Sequence, residues 1–311
     1  MSDTFFTASP DWTWWIILYF FVGGIAGSAF VLASLLELFG RSEDQPLARL
    51  GYYVAFIGVG LSGFLLTIDP HRPERFWHML IESNTGRPMF KSWVPMSVGS
   101  WGLTLFGLFA FLGALRALSE DRPGWRLLQS APVRALRSRA PSVMIAVLGS
   151  ICGLFIAGYT GVLLSVTNRP IWADSNLVGL LFLISAASTG TATLILLAIW
   201  RRAGHPAALD WLTNLDQRLL ILELLVLIAF IITLGSVARV LVGWWGIVLL
   251  LGVVGMGIVV PLLFERGPGP HAPPQLARAA TLVLIGGFLL RMVVILSSNG
   301  IHVLDSGVAG R

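Results

Sequence analysis

What most constrains this chain is a repetition. Apolar runs of roughly twenty residues recur along its whole length, each long enough to cross a hydrocarbon core. With 56% hydrophobic and only 12% charged residues, nothing remains for a soluble domain of any size. The runs predict an all-α integral membrane protein with eight spans, at 14–36, 50–68, 93–115, 141–166, 176–199, 218–237, 241–264 and 278–298. The first run follows MSDTFFTASPD, which lacks a basic start and a small-residue cleavage site, so it reads as a retained helix.

A formal charge of +5 would suggest nucleic acid in a soluble chain, but here the loops explain it. Thirteen of the 21 Lys and Arg residues fall in one set of loops: Arg41, Arg49, Arg116, Arg122, Arg126, Arg134, Arg137, Arg139, Arg201, Arg202, Arg218, Arg266 and Arg278. Cytoplasmic loops carry the basic excess. Both termini and the 69–92 loop are therefore expected outside, in the periplasm of a bacterial inner membrane, with lipid and not nucleic acid as the surroundings. The single cysteine, Cys152, excludes intrachain disulfides and an iron–sulfur cluster held by this chain's own thiolates.

Gly23, Gly24 and Gly27 in the first span, and the small, hydroxylated stretch around Gly190 in the fifth, predict helices buried inside the assembly, because small residues let membrane helices approach closely. Overlaid, the two halves place Gly27 on Gly190 and Ala29 on Ala192. That suggests two related four-helix bundles, 1–170 and 171–311.

None of the five histidines sits at the middle of a span, which argues against haem held between paired histidines. Charge inside a bilayer is costly and usually functional. Glu37 and Arg239 lie near span ends, where long side chains reach the interface. Glu223, about one and a half turns into its span, and the deeper Arg291 stand either as structural groups or, with Thr189, as a proton path. Tyr159 lies too deep for a simple interfacial belt, with Gly158 and Gly161 leaving room for something flat. Trp12, Trp14, Trp15 and Tyr19 begin the first span at a comparable depth and are expected to line the same slot.

The stretch IDPHRPERFWHML, residues 68 to 80, concentrates charge in an otherwise apolar chain. Pro70 and Pro73 end the second span at Asp69. ERFWHMLIE then reads as a short interfacial helix with Phe76, Trp77, Leu80 and Ile81 on its apolar side. With the following RPMFKSWVPMSVGSW, this loop resembles that of the NrfD family, the membrane subunit of polysulfide reductase and related complexes. YFFVGGIAGSAF, YTGVLLSVTNRPIW and LRMVVILSSNG are similar to other spans of that family in the same order.

The resemblance implies a quinone or quinol substrate, menaquinone or ubiquinone, in a pocket of the first bundle near the outer face. It also implies no haem or metal bound by this chain. The implied partners are a four-cluster ferredoxin-like iron–sulfur subunit and a molybdopterin catalytic subunit. Carried over residue by residue, Tyr159 is the tyrosine that hydrogen-bonds the quinone, and Asp69 is the loop aspartate beside the pocket. Thr13, next to Trp14, stands where several members have Asn. His71 departs from the family pattern and adds an imidazole, giving Asp69, His71 and Tyr159 as catalytic candidates. Arg72 and Arg75 are expected at the partner's docking face. The rival from another class is a secondary transporter or ion channel without redox function, suggested by the weak repeat and Arg291.

Overall fold

The structure, a computed structural model, describes residues 12, 14–68, 73–167, 169–265 and 272–300. Eight long helices account for most of them: α1 (Trp14–Phe39), α2 (Gln45–Ile68), α3 (Pro95–Asp121), α4 (Arg139–Ser165), α5 (Leu177–Arg201), α6 (Pro206–Thr233), α7 (Trp244–Glu265) and α8 (Pro273–Leu296). Seven are long and apolar enough to cross a membrane, and α6 makes an eighth when joined to the short 3-10 helix that follows it. No strand occurs among the described residues.

Local chemistry sets the helix ends. Proline occupies the first turn of α3, α6 and α8, where its missing N–H has no helical partner to lose. His205 caps α6, its Nδ1 accepting from the Ala207 N–H at 3.1 Å. This start signal lies well before the apolar run, so α6 begins twelve residues ahead of the expected position 218. It ends at Thr233, and Gly235, with a φ of +54°, lets the chain bend by 110° into the 3-10 segment Gly235–Val242. Within α7, Val248–Val259 is wound as a π-helix. Such stretches are rare and recur at functional sites.

Helix α1 is the hub, packing against α2, α4, α5 and α8. Around it α2 packs on α3 and α3 on α4, while α5 packs on α6 and α8, and α8 on α7. The small residues of α1 and α5 serve as expected. A Cβ on Gly27 would collide with the Gly153 carbonyl of α4, and one on Gly190 with the Ser28 hydroxyl of α1. An apolar core of Phe20, Trp172, Phe182 and Leu290 joins α1, α5 and α8.

At the end of the helices that carries the arginine-rich connections, a polar clamp holds the first four together. Arg116 of α3 grips Glu37 of α1 with both Nη atoms, Ser142 of α4 bonds the same carboxylate, and Tyr52 of α2 donates to it at 2.5 Å. The sequence places Arg116 in a loop and sends Glu37 to the interface. Both are instead nearly buried, at 7% and 9% side-chain exposure, because each neutralises the other.

Between α2 and α3 the chain forms a short helix, Pro73–Met79, of the tighter 3-10 kind, closed by a bridge between Ile81 and Pro88. Phe76, Trp77 and Ile81 are left exposed.

Candidate functional site

A cleft of about 290 Å³ opens at the end of the molecule opposite the arginine-rich connections. Its first wall is Ile16, Tyr19 and Phe20, which share one face of α1, with Trp12 just before the helix. Leu66 of α2, Met79 of the 3-10 helix, Met96, Gly99 and Ser100 of α3, and Tyr159 and Leu163 of α4 complete the lining.

Two tyrosines supply most of its polarity. The Tyr159 hydroxyl donates to the Pro95 carbonyl at 2.6 Å, and its ring stacks on Phe155 at 5.2 Å. A carbonyl can only accept, so this bond uses the tyrosine's proton and leaves its oxygen to the cleft as an acceptor. Gly99 makes the position available, since a Cβ there would overlap the Tyr159 ring and hydroxyl. Tyr19, only 3% exposed, has no hydrogen-bond partner among the described residues, so its hydroxyl is free to donate into the cleft.

Behind Trp12 stands a second layer. Trp172 is fully buried, donates from Nε1 to the Val294 carbonyl at 2.8 Å and stacks on Trp12 at 4.9 Å. Arg169 lies over the Trp172 ring at 5.2 Å and bonds the Ser298 hydroxyl. The connection between α4 and α5 thus braces the cleft wall through one tryptophan pair.

The sequence candidates divide accordingly. Tyr159, Tyr19 and Trp12 come together in the cleft, whereas Trp14, two positions from Trp12, points away and is 53% exposed. Thr13, Asp69, His71 and Arg72 lie outside the described residues, as does the side chain of Arg75.

The intramembrane candidates gather in a polar track that starts at the cleft wall. Fully buried Arg291 of α8 donates to the Phe20 carbonyl (3.3 Å), the Gly287 carbonyl (2.7 Å) and the Ser185 hydroxyl (3.2 Å), with its guanidinium over the Phe21 and Phe182 rings. Glu223 of α6 is buried close enough to Arg291 for their charges to interact. Among the described residues no direct ion pair joins Arg291 to Glu223. Glu223 stands about 25 Å along α6, because the helix starts at Pro206. Thr189 hydrogen-bonds its own helix, at Ser185 O (2.8 Å) and Ala186 O (3.1 Å), and presents its methyl to Gly287.

Sequence reasoning missed Ser185, Ser188, Asp216 and Glu265. Asp216 lies two turns before Glu223 on the same face, and its carboxylate accepts from Ser188 at 2.9 Å. That seven-residue spacing was the available signal, lost because the span was expected to start at 218.

Comparison with known proteins supplies a family. Residues 4–301 match the family model described as polysulphide reductase, NrfD. Over 307 residues the sequence is 26% identical to the C-chain of polysulfide reductase from Wolinella succinogenes, covering 91% of this protein and 93% of that one. It is 26% identical over 317 residues to protein NrfD of Escherichia coli, covering 94% and 96%. Against the C-subunit of selenate reductase from Mesobacillus selenatarsenatis it is 21% identical over 300 residues, covering 85% of this protein and 68% of that one.

Proposed function

The chain belongs to the polysulphide reductase NrfD family, and from that membership we propose that it is the quinone-reactive membrane subunit of a respiratory oxidoreductase complex. The observation that carries this reading is the cleft: apolar walls, a volume near the low end of ~300–1,000 Å³ for small-molecule sites, and two tyrosine hydroxyls of opposite hydrogen-bonding character. A quinol has flat apolar faces and a hydroxyl at each end, which suits such a slot.

The hydrogen bonding favours quinol as the bound form. With its proton donated to Pro95, Tyr159 accepts from a quinol hydroxyl and orients the ring. Tyr19 donates to an oxygen of the same substrate. Oxidation removes two electrons and two protons. The electrons pass to an iron–sulfur partner docked over the 69–92 loop, with Arg72 and Arg75 facing it, and then to a catalytic subunit of the molybdopterin class. The protons leave through bases within hydrogen-bond reach, for which Asp69 and His71 are the candidates. Family resemblance makes Thr13 a further candidate for contact with the quinone. The frame for this chemistry is two four-helix bundles, α1–α4 and α5–α8, with both termini and the cleft on the periplasmic side of the inner membrane. This orientation rests on the arginine distribution.

The polar track favours an addition to this reading: proton translocation coupled to quinol oxidation, with Glu223, Thr189 and Arg291 along the path and Ser185 bonded to Arg291. A transporter without redox chemistry has less support, because the aromatic-lined cleft lies at one end of the helices rather than at mid-depth.

The test is electron paramagnetic resonance of the complex, purified in mild detergent and mixed with a reduced quinol analogue. Iron–sulfur signals that appear with quinol, and about 10²-fold more slowly in Tyr159→Phe, support the reading. A chain that purifies alone, or clusters that quinol leaves oxidised, would sink it.

A further inference from the structure

Away from the cleft, the polar track ends in two carboxyl groups for which the proposed chemistry has no use. Asp216 of α6 is fully buried and Glu265, the last residue of α7, is 1% exposed. Gln217 fixes the two helices to each other at this level, its Nε2 donating to the Glu265 carbonyl at 2.6 Å. The carboxyls are close enough for their charges to repel. Ser188 satisfies one oxygen of Asp216. The other Asp216 oxygen and both oxygens of Glu265 are buried with no hydrogen-bond partner among the described residues.

Three orphaned carboxylate oxygens in one place pose a definite problem. An ionised carboxylate accepts hydrogen bonds and cannot donate them. Stripped of water and left unpaired, it is strongly disfavoured. Two side by side add mutual repulsion. The groups that face the pair do not relieve it. Ser188 of α5 is a single hydroxyl, Glu223 on the same face of α6 is another acid, and among the described residues no Lys or Arg forms an ion pair with either carboxyl. Arg218 and Arg278 are exposed, and Arg266 lies outside the described residues.

We propose that Asp216 and Glu265 together form a proton-binding site, holding one proton between them at neutral pH. One proton turns an acceptor into a donor, so a single O–H···O bond satisfies two of the three orphaned oxygens and removes the repulsion. A proton fits better than a metal cation here. A small cation of this kind takes about six oxygen ligands, whereas this site offers the two carboxyls and one serine whose hydrogen already points at Asp216. Such a proton belongs to the pair rather than to either residue. The site stands on its own geometry, whatever occupies the cleft. Its place two helical turns from Glu223 makes it the loading end of the track that runs through Ser185 and Arg291 to the Phe20 carbonyl.

The test is infrared spectroscopy of the purified protein at neutral pH, reading the C=O stretch of protonated carboxyls. Wild type is expected to show a band equivalent to one buried group per chain, moved by deuterium exchange and by 13C labelling of aspartate and glutamate. The Asp216→Asn/Glu265→Gln variant, which keeps shape and polarity, should lose it. The labelling arm needs wild type only, so a variant that fails to fold does not decide the matter. No protonated-carboxyl band in labelled wild type, or an undiminished band in the folded variant, overturns the proposal. So does sodium raising the melting temperature of wild type and not of the variant, which would make the pair a metal-ion site.

Discussion

Arg291 donates from Nε to the carbonyl of Phe20 at 3.3 Å, so a fully buried guanidinium is bonded to the backbone of a residue whose ring walls the cleft. The cleft and the intramembrane polar groups are therefore one connected structure. Three acceptors on three helices are held by this one planar group: Phe20 O on α1, Ser185 Oγ on α5 and Gly287 O on α8.

Arg291→Lys keeps the charge and loses the fork, since an ammonium cannot reach three acceptors so disposed. We expect it to destabilise the detergent-solubilised protein by about 1.5–3 kcal/mol, the range for a hydrogen bond to a charged group. A thermal unfolding midpoint equal to wild type would show that the fork contributes nothing.

Gly99→Ala tests the packing that places Tyr159. The added methyl overlaps the tyrosine ring, so the hydroxyl must leave the Pro95 carbonyl. Quinol oxidation by the complex is expected to fall by about 10²-fold, comparable to the loss of one preorganised polar group. Gly60→Ala, where a Cβ meets nothing within 4 Å, is the control and should leave the rate unchanged. Equal rates for the two variants would remove Tyr159 from the site.

Glu37→Gln breaks the clamp at the far end of α1 and leaves Arg116 charged in a buried place. Removing one partner of such a pair costs about 3–5 kcal/mol. Replacing both, as Glu37→Met with Arg116→Met, should recover most of that loss, because no uncompensated charge remains. Thermal unfolding of the single and double variants measures the difference, and additive losses would contradict it.

Orientation is open to a direct chemical check. In a Cys152→Ser background, Ser83→Cys lies on the exposed loop between α2 and α3, and Ser130→Cys on the exposed connection between α3 and α4. An impermeant maleimide added to intact spheroplasts should label the first and reach the second only after lysis. The reverse pattern would invert the topology and put the cleft in the cytoplasm.

The apolar runs alone determined the class, the number of long helices and most of their limits, because a helix that must cross lipid writes its length into the sequence as uninterrupted hydropathy. Gly27 and Gly190 were legible for the same reason, as small residues where helices touch. Tyr159 and Tyr19 were legible as aromatic residues at one depth. Where hydropathy was not the deciding force, the reading failed. The start of α6 is set by His205 and Pro206, so Asp216 fell outside the expected span and escaped notice.

Only the tertiary structure decided which polar groups meet. Arg116 and Glu37 are 79 positions apart, and Arg291 and Phe20 are 271 apart. Trp12 and Trp14 are two positions apart, yet Trp12 lines the cleft and stacks on Trp172, 160 positions away, while Trp14 is left exposed. A buried charge or hydroxyl is satisfied by whatever neighbour the helix packing brings to it, and no linear pattern records that partner.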